Sequence, residues 1–260
     1  MTGSGALGDE QLERYARHIV LKEIGGAGQL RLLGAHVAVV GAGGIGCPAI
    51  AFLAAAGVGT IRVIDPDTVS LSNLQRQILY GTADLGQPKA EAAQAAVARL
   101  NPDVHVVAIN QSIDADNAAV LLRDVDVILD GCDNFETRLA VSDAATTLRT
   151  PLVSAAVGAF DGQVGVWRGW EEGQACYRCL VGSDPARADM NCADQGIVGA
   201  VTGIVGSMAA LEVIRALVPF GDDAAGQMLI ADFMGRRFRS VRVAHDPACP
   251  ACRVAEELPA

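Results

Sequence analysis

The stretch HVAVVGAGGIG, residues 36–46, decides the fold. His36–Gly41 is a short Val-rich apolar run, the signature of a buried strand. Gly41-Ala42-Gly43-Gly44-Ile45-Gly46 then fits GxGxxG between that strand and an Ala-rich helix that ends near Gly57. Glycines in such a turn let the backbone approach a phosphate closely, and the following helix presents free N–H groups and its positive dipole end. Thr60–Asp65 (TIRVID) is the next strand, and it closes on an acid about 20 residues after the turn, where a carboxylate commonly binds ribose hydroxyls. The bland alternative is that the glycines only allow helix and sheet to pack. By itself the turn does not choose between NAD, FAD and ATP.

Working outward, Pro88–Leu100 reads as a helix, Val104–Ile109 as a strand and Asp114–Arg123 as a helix. Val125–Asp130 follows as a strand, Phe135–Leu148 as a helix and Pro151–Ala156 as a strand. Strands alternating with helices imply βαβ units and a parallel sheet with helices on both faces. The texture changes beyond Gly162. Gln163–Arg168 and Phe238–Val243 alternate apolar and polar residues, as antiparallel strands do. Ala193–Val218 reads as a long helix disturbed at its start by Gly196 and Gly199, and Leu12–Lys22 as a helix broken by Gly25, Gly26 and Gly28. The expectation is one α/β domain with a Rossmann-like, mostly parallel first half and a mixed second half. Residues 1–35 form a helical N-terminal segment, 36–156 the nucleotide-binding half, and 157–260 the half left for a partner and a metal.

The bulk composition narrows the function. Of 260 residues, 51% are hydrophobic and 19% charged, enough apolar material for a sizeable core. The net charge of −10 disfavours a nucleic-acid binder or an anionic-membrane binder, both of which need a basic field. Met1–Glu10 has neither a basic region nor an apolar run, so no secretory signal is expected. The most apolar stretches, Cys47–Ile61 and Val201–Val218, fall short of the roughly 20 residues of a spanning helix. They are read as buried helices of a cytoplasmic protein.

Cations and acids then gather after the first two strands. Asp65-Pro66-Asp67 leads to Asn73, Arg76 and, past Gly86-Gln87-Pro88, Lys89. Hydride transfer has no need of this Arg and Lys, whereas a triphosphate does: Arg offers a fork and Lys a point charge. Asp133 follows the fourth strand, where a single carboxylate can hold Mg²⁺ beside a nucleotide. The plainer reading makes Asp133 an N-cap of the helix that opens at Phe135.

Seven cysteines, at 47, 132, 176, 179, 192, 249 and 252, do not make a disulfide framework. Cys176-Tyr-Arg-Cys179 and Cys249-Pro-Ala-Cys252 make two CxxC pairs, a donor set for a tetrahedral Zn²⁺ that ties the tail to the middle of the chain. Two redox dithiols are the alternative, weakened by the lack of a thioredoxin-like context. Cys192, near a helix start, is either a nucleophile of lowered pKa or structural. Cys47 and Cys132 read as small buried residues.

Taken in order, these pieces resemble the MoeB/ThiF family, bacterial relatives of ubiquitin-activating enzymes. The resemblance runs from about Leu12 to Cys252. It rests on Arg14-Tyr15-Ala16-Arg17, GAGGIG at 41–46, Asp65-Pro66-Asp67, SNLQRQ at 72–77, GQPKA at 86–90, Cys132-Asp133-Asn134, CYRCL at 176–180, NCADQGI at 191–197 and CPAC at 249–252. The resemblance implies ATP-dependent adenylation of the C-terminal Gly-Gly carboxylate of a ubiquitin-like sulfur carrier similar to MoaD or ThiS. It implies that Gly44 lies near the phosphates, Asp65 holds the ribose, Asn73 lies near the nucleotide, Arg76 and Lys89 bind phosphates, and Asp133 holds Mg²⁺. Arg17 resembles an arginine that enters the partner subunit's site, which implies a homodimer. No rhodanese-like sulfurtransferase domain follows Cys252, so sulfur is expected from a separate donor protein. A NAD-dependent oxidoreductase, a noncatalytic carrier-binding scaffold and an activating enzyme for another peptide remain the rivals.

Overall fold

The computed structural model describes residues 6–182 and 196–252. Eight strands form one sheet in the order β3-β2-β1-β4-β5-β6-β7-β8. They are β1 (His36–Val40), β2 (Thr60–Ile64), β3 (His105–Ile109), β4 (Val127–Asp130), β5 (Leu152–Val157), β6 (Asp161–Trp167), β7 (Gln227–Asp232) and β8 (Arg237–Arg242). The pairs from β3 through β5 are parallel, and β6, β7 and β8 are added antiparallel. The chain reverses its direction of travel across the sheet between β1 and β4, the switch point where ligands bind at the C-terminal ends of parallel strands.

The parallel strands are apolar because helices cover both of their faces; Val37 to Val40 are all buried. One face packs on α3 (Gly25–Gly34), α4 (Gly46–Ala55), α5 (Lys89–Leu100) and the long α9 (Gly199–Leu217). The other packs on α6 (Ala118–Leu121), α7 (Phe135–Leu148) and the short α8 (Tyr177–Val181). By length and composition α9 is apolar enough to cross a membrane. In this fold it lies across α4, β5 and β6 instead. Gly206 permits that contact, since a Cβ there would stand 2.4 Å from the Ile45 carbonyl oxygen.

Several sequence expectations are corrected. The single helix over Leu12–Lys22 is two short ones, α1 (Asp9–Arg14) and α2 (Ala16–Ile19). Tyr15 breaks them because its side chain is buried beneath Gly57 and accepts a 2.9 Å hydrogen bond from Asn101 Nδ2. Gly25, Gly26 and Gly28 belong to the next helix. Gly28 is where that helix meets Val218, 2.8 Å from a would-be Cβ. The helix expected over Asp114–Arg123 shrinks to α6, because the Asp114 carboxylate accepts the backbone N–H groups of Asp116 and Asn117, each at 3.0 Å. Such a side-chain turn competes with helix. Strand β7 was not anticipated. Of the helix expected over Ala193–Val218, residues 193–195 lie outside the described residues, and 196–198 are not helical: Gly196 has φ +66 and Val198 is extended.

Candidate nucleotide site and cysteine cluster

A cavity of about 460 Å³ opens at the C-terminal ends of β1, β2 and β4. Gly41, Gly43 and Gly44 form its floor. Gly41 has φ +86, and a Cβ there would stand 3.1 Å from the Gly131 carbonyl and the Cys132 nitrogen. The turns after β1 and β4 therefore meet backbone to backbone. Gly46 does not line the cavity; a Cβ on it would fall 1.9 Å from the Gly41 carbonyl oxygen, so it is needed for the tightness of the turn.

Asp65 is buried at the end of β2. Its two oxygens accept the Ala42 N–H at 2.7 Å and the Asp67 N–H at 2.9 Å, which pins the glycine turn to the second strand. Burial pushes its carboxyl above the ordinary range, while Lys89 pulls it down. The Lys89 ammonium, itself buried, lies 4.0 Å from Asp65 and 2.7 Å from the exposed Asp67 carboxylate. Asn73 and Arg76 line the same wall, with Arg76 Nη1 donating to the Ser72 carbonyl at 3.2 Å.

Across the cavity, Asn134 and not Asp133 caps α7, accepting the Thr137 N–H at 2.7 Å. That leaves Asp133 on the cavity wall. Arg138 is buried behind this loop. Its Nε and Nη2 donate to the Cys132 carbonyl at 3.0 and 2.7 Å, and its Nη1 lies 3.6 Å from Asp130. The guanidinium thus fixes the loop that carries Asp133. Burial, the largest single effect, opposes its charge, but Asp130, Cys132 and Tyr177 together outweigh it and hold its pKa above the ordinary value. Cys132 is half-buried and lines the cavity, so it is not the simple core residue expected from sequence. Burial and the neighbouring Asp130 raise its thiol well above the ordinary range. Cys47 is a core residue, its thiol pushed up to about 12 by burial.

The catalytic and nucleotide-binding residues read from sequence are thus brought together around one cavity, with two exceptions besides Gly46. Arg17, exposed on α2, is not among the lining residues. Cys192 lies outside the described residues. Sequence reasoning missed Gln77, Ser112, Thr137, Arg138 and Thr202, all of which line the cavity. Only Gln77, next to Arg76, and Arg138, five residues past Asp133, had a nearby motif that could have drawn notice. Thr202 arrives from α9, which no local pattern reveals.

The four paired cysteines meet. Cys176 and Cys179 Sγ are 3.9 Å apart, Cys176 and Cys249 3.6 Å, and Cys179 and Cys252 3.6 Å, all four lying within 4.8 Å of one another. A disulfide needs about 2.05 Å. Four thiolates each 2.3 Å from a tetrahedral metal stand about 3.8 Å apart, so the donor set and its spacing fit Zn²⁺. The Cys176 thiol donates a hydrogen bond to Cys179, which lowers Cys179 and raises Cys176, while burial raises Cys252. Arg178 anchors the α8 side of the cluster through a fork to Asp143, at 2.6 Å for each bond.

Comparison with known proteins agrees with this geometry. The family model described as "ThiF family" matches residues 15–251. The chain is 43% identical over 247 residues to a sulfur carrier protein adenylyltransferase of Thermus thermophilus, covering 94% of this chain and 91% of that protein. It is 44% identical over 249 residues to the mouse (Mus musculus) adenylyltransferase and sulfurtransferase MOCS3. That match covers 95% of this chain but only 54% of MOCS3, so the chain spans about half the length of that relative. Among solved structures, E. coli MccB with MccA-N7isoASN superposes with a TM-score of 0.80 at 22% identity, covering 92% of this chain and 74% of that one, and shares its fold. The extent and order of these matches establish that the chain belongs to the ThiF family.

Proposed function

We propose that this protein uses ATP to adenylate the C-terminal carboxylate of a small ubiquitin-like sulfur carrier ending in Gly-Gly, ahead of thiocarboxylate formation. The observation that carries this reading is the convergence of Arg76, Lys89 and Asp133 on the glycine turn around a single cavity. The relatives named as adenylyltransferases support the same reaction.

A carboxylate is a poor electrophile because its leaving group is oxide. Its oxygen attacks the α-phosphorus; the bond to the β-phosphate oxygen breaks, and pyrophosphate leaves with the electron pair. The product is an acyl-adenylate with AMP as its leaving group. No general base is needed, because the carboxylate is ionised at neutral pH. The task for the protein is to overcome repulsion between two anions. The N–H groups of the turn, Arg76 and Lys89 supply positive charge where negative charge gathers. Asp65 stands at the end of β2 to receive the ribose, with Asn73 beside the nucleotide. Asp133 would hold Mg²⁺, which when bound neutralises the departing pyrophosphate. Cys176, Cys179, Cys249 and Cys252 would hold a structural Zn²⁺ that ties the end of the chain to α8.

In this reading the enzyme is a cytoplasmic homodimer, in which the exposed Arg17 completes the partner's cavity. The sulfur comes from a separate donor protein, and Cys192 serves the step after adenylation. Carrier-dependent ATP–pyrophosphate exchange tests the reaction. Purified protein is expected to exchange with a Gly-Gly-ended carrier, and Asp133→Ala to abolish exchange while unfolding at the wild-type temperature. A carrier that binds without any exchange would make the protein a scaffold.

A further inference from the structure

Tyr80 is not among the residues that line the cavity, yet its hydroxyl joins two parts of the cavity wall. It lies in the irregular segment between β2 and α5 and is 6% exposed. The hydroxyl donates to the Ala42 carbonyl at 2.9 Å and to the Lys89 carbonyl at 3.2 Å. Ala42 is the second residue of the glycine turn, and Lys89 is the first residue of α5. One O–H thus serves two acceptors as a three-centre bond. Burial raises the pKa of the phenol, so the group stays protonated and able to donate.

The two carbonyls belong to parts that are otherwise tied separately to the end of β2 and the loop after it. The Ala42 N–H donates to the Asp65 carboxylate at 2.7 Å, and the Lys89 N–H donates to the Asp67 carbonyl at 2.9 Å. Asp65 also stands 4.0 Å from the Lys89 ammonium, but that contact is with the flexible end of the side chain. Among the described residues, no other hydrogen bond runs from the turn to the backbone of Lys89. The Ala42 carbonyl has a second side-chain donor, Cys47 Sγ at 3.3 Å, which is weak and makes no hydrogen bond to Lys89. A polyphosphate must meet the N–H groups of the turn and the Lys89 ammonium together, and such a constellation has to be held to within about 0.5 Å. We propose that Tyr80 is a positioning residue for nucleotide binding: its hydroxyl sets the spacing between the glycine turn at Ala42 and the start of α5 at Lys89. This rests on the adenylation reading above and extends it to a side chain that touches no part of the nucleotide.

The test compares two variants that loosen the same carbonyl. Tyr80→Phe removes the hydroxyl and keeps the ring. Cys47→Ala removes the other side-chain donor to Ala42 and leaves the bond from Tyr80 to Lys89 in place. Each is expected to melt about 2–4 °C below the wild-type protein. Calorimetric titration with MgATP, well below those temperatures so that every molecule is folded, separates positioning from stability. Tyr80→Phe should weaken MgATP binding about fivefold, the worth of one hydrogen bond, and Cys47→Ala should bind as the wild type does. Wild-type affinity in Tyr80→Phe would make the hydroxyl purely structural and overturn the proposal. An equal loss in Cys47→Ala would overturn it too, since the turn by itself, and not its link to Lys89, would then set the affinity. Either result leaves the adenylation reading standing. Failure of the wild-type protein itself to bind MgATP would bring down both.

Discussion

Replacing Lys89 by Met should produce a pH-dependent loss of stability that can be worked out from the structure. Lys89 Nζ stands 4.0 Å from Asp65 Oδ1, with both side chains 6% exposed. Two unit charges at that distance attract by about 4 kcal/mol at the effective dielectric of about 20 that suits protein sites. The 2.7 Å contact with Asp67 adds little, because the Asp67 side chain is 65% exposed. Met preserves the packing of the lysine stem, so the variant isolates the charge. Asp65 keeps its bonds to the Ala42 and Asp67 N–H groups but loses its buried cation. Its carboxyl, already raised by burial, rises further once the pull of Lys89 is gone. A carboxyl whose folded pKa lies above its unfolded value binds more protons when folded. Its contribution to stability is therefore full at low pH and is lost as pH rises from the unfolded value through the folded one. Lys89→Met should cost about 3–4 kcal/mol near pH 7, or roughly 10 °C in melting temperature. The cost should shrink as pH falls and Asp65 takes up a proton. Thermal melts of variant and wild type at matched pH give this difference, and taking the difference cancels other titrating groups such as the cysteines. Adding Asp65→Asn to Lys89→Met should recover part of the loss at neutral pH. A loss of equal size across the pH range, or no recovery in the double variant, would refute the view that Lys89 offsets a buried charge on Asp65.

Two further predictions concern the frame of the site. Metal analysis of fresh protein should find about one zinc per chain, and a strong chelator should lower the melting temperature; metal-free protein of unchanged stability would undo the four-thiolate site. Gly46→Ala should destabilise by about 3 kcal/mol, because its Cβ would meet the Gly41 carbonyl oxygen at 1.9 Å and neither backbone can yield without opening the turn. Urea denaturation reads this, and a loss under about 0.5 kcal/mol would show that the turn is looser than described.

Much of this protein is legible in one dimension because its rules are local. The Val-rich runs of β1 and β2, GAGGIG at 41–46 between strand and helix, and the order of Asp65, Arg76, Lys89 and Asp133 announce a parallel sheet with a nucleotide at its edge. Local pattern misleads where side chains overrule it. Tyr15 interrupts a helix because it is buried against Gly57 and Asn101. Asp114 unwinds one with its own carboxylate. Gly28 serves a helix contact rather than a break. The two CxxC motifs could be recognised as a donor set, but only the fold carries Cys249 to within 3.6 Å of Cys176 across 73 residues of chain. The bonds by which Arg138 fixes the Asp133 loop also belong to tertiary structure. A hydrogen bond made or missing in a buried place depends on what the rest of the chain brings there, and spacing along the sequence does not carry that information.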